Sequence, residues 1–142
     1  MSIKKEVARW LRKYGGPLGK VVAAGSWLWE HKDDVLSYLD EPRTLEELQE
    51  AATRPPKKGY ENHHIAEQTA ARDDGFDEDR INGRDNVVRI PRLKHQEING
   101  WYGRKNPEFG GKPPREHLRG RTWEERISMG HRALREHGAL KP

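Results

Sequence analysis

Five residues in the middle of the chain carry side chains suited to phosphodiester chemistry: His63, His64, Asn86, His95 and Asn99, spaced H-H-x21-N-x8-H-x3-N. Hydrolysis of a phosphodiester needs an activated water and something to neutralise the charge that develops on the phosphate and the leaving oxygen. A neutral imidazole near pH 7 is a suitable general base, and one divalent ion can act as Lewis acid and stabilise the leaving alkoxide. His95 and Asn99 are four apart, so on a helix they project from one face. His63 and His64 are adjacent, so on a strand they point to opposite faces or sit at a kink. An ion held by His63, His95 and Asn99 would leave His64 free to act on water, and two or three protein ligands leave positions open for phosphate and water. Asn86 is expected to fix the imidazole of His64 by a hydrogen bond.

The elements that must position these residues follow from pattern. Tyr60 to Ile65 reads as a short strand, and Asn86-Val87-Val88-Arg89-Ile90 is the best strand in the chain, closed by Pro91. Arg92 to Tyr102 reads as a helix, with Leu93, Ile98 and Tyr102 available for packing. The acidic stretch Ala70 to Arg84, with Gly75 and Asn82-Gly83 as turn signals, is expected to be a loop. Strand, loop, strand, helix is a ββα unit. After a Gly/Pro/Lys-rich loop from Gly103 to Pro114, a capping box at Thr122-Trp123-Glu124-Glu125 opens a last helix with Trp123, Ile127, Gly130 and Leu134 on one face. Upstream, Ile3, Val7, Trp10, Leu11 and Tyr14 predict one helix, Leu18 to Leu39 a less regular one, and the capping box at Thr44-Leu45-Glu46-Glu47 a short third. Residues 54–59 read as a linker between an N-terminal helical region, 1–53, and a domain over 60–142. The expected fold class is therefore α+β and mostly helical, a ββα core flanked by N-terminal and C-terminal helices.

Composition narrows the partners. The 142 residues are 35% charged and 32% hydrophobic, so the core must be modest. With no Cys, disulfides, thiolate zinc sites and thiol catalysis are excluded. The net charge is +4, unevenly spread: residues 84–142 carry 14 Lys and Arg against 7 Asp and Glu, whereas residues 59–83 carry 2 against 7. A basic C-terminal half suits a polyanion such as nucleic acid. Arg89, Arg92, Lys94, Arg104, Lys105 and Lys112 are expected to contact phosphates, which positions a substrate without reading its sequence. No apolar run approaches a membrane span, and Met1–Lys5 leads into an amphipathic pattern rather than a signal peptide, so no stable membrane insertion is expected.

His63-His64-Ile65, Asn86-Val87-Val88-Arg89-Ile90-Pro91 and His95-x3-Asn99 together resemble the HNH/endonuclease VII (His-Me finger) superfamily of nucleases, closest to the toxin domains of bacterial polymorphic toxins. The likeness runs from about Tyr60 to Leu140 and includes Leu118-Arg119-Gly120-Arg121-Thr122-Trp123-Glu124-Glu125, similar to the terminal helix of toxin versions. It implies a ββα-metal core, His63, His95 and Asn99 as metal ligands, His64 as general base and Asn86 as its orienter. Two departures stand out. The loop between His64 and Asn86 is longer than in compact members, and Asn99 stands where a His is common. An amide oxygen favours Mg²⁺ over Zn²⁺, with Zn²⁺, Mn²⁺ and Ni²⁺ as alternatives.

The resemblance implies a metal-dependent endonuclease, on DNA rather than RNA, acting as an antibacterial toxin or effector. It would reside in the producer's cytoplasm or be delivered into that of a target cell, with residues 1–53 as an accessory or pre-toxin segment. A toxin requires an immunity protein, expected to be acidic so as to cover the basic face. One competing reading is a catalytically inactive nucleic-acid-binding module that retains the ββα fold. Another is a helical adaptor whose working part is residues 1–53. Among the remaining residues, Trp10, Trp27, Trp29 and Trp123 are expected in the core, Trp101 and Tyr102 to pack on the ββα unit, and Glu61 and Glu67 to be solvated carboxylates. His131 and His137 are not four apart and do not read as a metal pair.

Overall fold

The β-branched run after Asn86 forms a strand, β2 (Val87–Pro91), which pairs antiparallel with β1 (Tyr60–His64) in a register that sets Tyr60 against Pro91, His63 against Val88 and His64 against Val87. The protein is seen in a computed structural model that describes residues 29–142 and Arg9, and these residues are α+β and mainly helical. The helices are α1 (Lys32–Tyr38), α2 (Leu45–Ala51), α3 (Gln68–Asp73), α4 (Glu78–Ile81), α5 (Arg92–Gly103), α6 (Pro114–His117) and α7 (Trp123–Glu136). The helix expected over Ile3–Tyr14, the first part of the 18–39 stretch, Trp10 and Trp27 lie outside the described residues. Trp29, expected in the core, is 72% exposed.

Alternation along β2 turns Val88 and Ile90 to one face, where Leu48 of α2, Ile98 and Tyr102 of α5, and Ala133 and Leu134 of α7 close over them. Burying this apolar surface is what holds two short strands together, since an isolated hairpin is at best marginal in water. Because Leu48 belongs to this core, the packing continues across residues 54–59, where a linker was expected. Arg89 reinforces the join by donating to the carbonyls of Arg54 (2.6 Å) and Pro55 (2.8 Å). A parallel bridge between Arg43 and Leu140 ties the start of α2 to the end of the chain.

The segment expected as a loop, 70–84, instead contains most of α3 and all of α4. Ala71 and Ile81 are fully buried and meet Trp123 and Phe76 in a second small core. Two apolar anchors so far apart leave no helical period to read in an acidic sequence, yet they suffice to pin two short helices. Gly75, at φ +85°, makes the break between them.

Both capping boxes form. The side chain of Thr44 accepts from the Glu47 amide and that of Thr122 from the Glu125 amide, and each glutamate accepts from the threonine's own amide in return. The helix that the second box opens, α7, crosses the chain just beyond β1: a Cβ placed on Gly130 would stand 2.2 Å from the Ile65 carbonyl oxygen. Only glycine admits this approach, which fixes the backbone next to His64. Arg126 of α7 is 2% exposed, donates to the Leu118 carbonyl at 2.9 Å and is ion-paired with Asp74.

Candidate active site

β1 delivers its last two residues to opposite sides, as period-two geometry requires. His63 turns inward and is 2% exposed, while the half-buried His64 lies at the strand's end. Both border an open cavity of about 1010 Å³, together with Glu67 and Asp73 of the α3 region, His95 and Asn99 of α5, and Arg115 of α6. α5 begins directly after β2, so His95 and Asn99, one turn apart, share the face that looks into this cavity.

His63 and His95 meet there. Their Nδ1 atoms are 3.0 Å apart and their rings are nearly perpendicular, at 79°. Burial, aided by the neighbouring imidazoles of His95 and His64, pushes the His63 pKa down to about 3. Burial also lowers that of His95, against the opposing pull of the Glu61 carboxylate. Neutral rings keep lone pairs available. At 3.0 Å one Nδ1 donates to the other, and a shift of the donor ring to its Nε2–H tautomer would free both Nδ1 lone pairs for a cation. Asn99 Nδ2 stands 3.3 Å from His95 Nε2, and Glu61 Oε2 stands 3.6 Å from the same atom. Among the described residues no three His, Cys, Asp or Glu side chains form a ready metal cage. The groups that could hold a divalent ion are thus the two neutral imidazoles through Nδ1, whereas Asn99, expected as a third ligand, meets the opposite ring nitrogen of His95.

Asn86 does not orient His64. It is fully buried, and its amide serves the backbone: Oδ1 accepts from the Ala66 amide (2.7 Å), while Nδ2 donates to the carbonyls of Ile81 (2.8 Å) and Ala66 (3.2 Å). Two strand-connecting segments leave these groups without a ladder partner, and a buried amide satisfies them. Asn86 therefore holds the turn that follows β1, two residues from His64. The side chain that meets the His64 ring is Asn82, whose Oδ1 lies 2.9 Å from His64 Nε2.

The cations expected to bind phosphate fall elsewhere, and none of the six borders the cavity. Arg89 is 9% exposed and spends its donors on Asn62 and on the carbonyls of 54 and 55. Lys94 is 6% exposed and donates to the carbonyls of Asp40 (3.0 Å) and Gly138 (2.8 Å). Both are structural, because their donors are taken up by main-chain carbonyls where segments cross, which long basic side chains can reach. Arg92 lies 3.5 Å from both Asp34 and Glu61. Arg104, Lys105 and Lys112 are exposed outside the cavity wall.

The cavity's own cations are Arg115 and Arg119. Arg115 grips Glu67 through Nε (3.0 and 3.1 Å) and Nη2 (2.5 Å). Glu67, expected as a solvated carboxylate, is thus paired. The hydroxyl of Tyr102, at the same wall, is buried without a hydrogen bond. Arg115 and Glu67 are 48 residues apart, and nothing local in the sequence announces their pairing. Asn82 reads there only as a turn residue, although its four-residue offset from Glu78 is the helical spacing that brings the two together. Comparison of the chain with protein-family models, with curated proteins and with solved structures gives no match, and the functional reading rests on the site itself.

Proposed function

We propose that this chain is a metal-dependent endonuclease of the HNH, or His-Me finger, type, hydrolysing phosphodiester bonds of DNA and acting as an antibacterial toxin or effector. One observation carries the proposal: two imidazoles, His63 and His95, meet at 3.0 Å on the wall of a cavity that a third, His64, held separately by Asn82, also lines. The order of β1, β2 and α5 supports a ββα-metal core, since the two strands and the helix after them bring in all three histidines.

In this account His64 takes the proton from the attacking water. His63 and His95 would hold one divalent ion, Mg²⁺ in the first instance, which would supply Lewis acidity to the phosphate and the leaving oxygen, and Asn99, set against the other nitrogen of His95, would orient that ring. Arg115 and Arg119 are the arginines that line this cavity, and a planar guanidinium suits phosphate oxygens. The acidic wall formed by Glu67, Asp73 and Glu116 restricts where a polyanion can enter. Exposed Arg104, Lys105 and Lys112 remain as outer contacts on the strongly basic C-terminal half. That half suits an acidic immunity protein, because complementary charge speeds and directs association.

The toxin reading is tested by expressing the chain in a bacterial host that lacks a neutralising partner. Loss of viability with fragmented chromosomal DNA, relieved by His64→Ala, is expected. Normal growth with soluble wild-type protein and intact DNA contradicts it.

A further inference from the structure

The hydrogen bonds around His64 do more than hold a ring in place. Asn82 Nδ2 lies 3.2 Å from Glu78 Oε2. An ionised carboxylate can only accept, so the amide nitrogen of Asn82 must face Glu78 and its oxygen must face His64. Glu78 is held in turn by Arg72, through Nε to Oε1 and through Nη2 to Oε2 at 3.2 Å, and this pairing keeps its carboxyl below the usual range and ionised. With Asn82 Oδ1 only 2.9 Å from His64 Nε2, that nitrogen has to carry the proton. The remaining nitrogen, Nδ1, is then the unprotonated one.

We propose that Asn82, locked in one amide orientation by Glu78 and Arg72, is the positioning residue that fixes His64 as the Nε2–H tautomer and leaves Nδ1 as the basic atom. The inference rests on the reading of His64 as the general base. The relay is built wholly from α3, α4 and the residue that ends α4, so the two helices inserted between the strands carry the orienting device. Asn86 could not serve in this way, because all three of its hydrogen bonds go to backbone.

The test combines nitrogen-15 spectra of the histidine rings with cleavage kinetics on the full chain, above the pH at which imidazole is protonated, with and without Mg²⁺. In the wild type the His64 signal, assigned by its loss in His64→Ala, is expected to show one tautomer protonated at Nε2. Asn82→Ala is expected to introduce an Nδ1–H fraction and to lower kcat about 10-fold with KM unchanged. Glu78→Gln, whose amide can donate as well as accept, loosens the lock and is expected to introduce a smaller Nδ1–H fraction with a smaller loss of rate, and an unaltered tautomer in it overturns the part given to Glu78. A wild-type His64 protonated at Nδ1, or an Asn82→Ala protein with tautomer and kcat unaltered, overturns the proposal. Absence of cleavage in every variant, with a tautomer that still depends on Asn82, upholds the relay and counts against the nuclease reading alone.

Discussion

His63 and His95, 32 residues apart in the chain, bring their Nδ1 atoms to 3.0 Å, and each ring is kept neutral chiefly by burial. Two neutral imidazoles that face each other can share one proton or jointly bind one cation, and the second arrangement satisfies both lone pairs.

Divalent ions should therefore stabilise the fold. Mg²⁺, Mn²⁺, Zn²⁺ or Ni²⁺ in 100-fold excess over its dissociation constant would add about 2.7 kcal/mol, a rise of several degrees in melting temperature. His95→Ala should abolish the increment while leaving the protein folded. Thermal melts with and without EDTA check this, and an equal increment in the variant would place the ion elsewhere.

Stability should also fall with acid. An unfolded His63 titrates near the ordinary 6.5, whereas the folded one is pushed down to about 3. Between these values the unfolded chain binds a proton that the folded chain refuses, so stability present above about 6.5 is lost as pH drops toward 3. Urea unfolding measured across that range should show the loss, and His63→Gln should flatten it.

Asn86→Ala should act on folding rather than on the base. Removing the amide strands the Ala66 amide and the carbonyls of Ala66 and Ile81 in a buried turn, at a cost on the order of 3 kcal/mol. Chemical denaturation gives the value. A stable Asn86→Ala protein with an altered His64 tautomer would return the orienting role to Asn86.

Gly130→Ala should cost about 3 kcal/mol, because the new methyl falls 2.2 Å from the Ile65 carbonyl oxygen and α7 must move away from the end of β1. Retained activity with lowered melting temperature is not expected here. The displaced contact abuts His64, so cleavage should fall along with stability.

Much of this arrangement is written locally. The strand after Asn86, the helix that carries His95 and Asn99, and both capping boxes depend on near neighbours in sequence, and they form where pattern places them. What escapes is set by distant partners. Arg89 and Lys94 look like surface cations until carbonyls from residues 54, 55, 40 and 138 claim their donors. Helices α3 and α4 lack an apolar period, and only the pocket around Trp123 gives Ala71 and Ile81 a reason to order them. Asn82 and Asn86 are the same residue type four positions apart; burial decides that one serves the backbone and the other the histidine.

Nuclease activity is measured most directly by nicking of supercoiled plasmid by the purified chain with Mg²⁺, Mn²⁺, Zn²⁺ or EDTA, beside His64→Ala. Metal-dependent cutting that EDTA stops, and that His64→Ala loses while still binding DNA, is expected. A folded wild-type protein that binds the plasmid yet leaves it intact with every metal, or a His64→Ala variant that cuts as well as wild type, would contradict it.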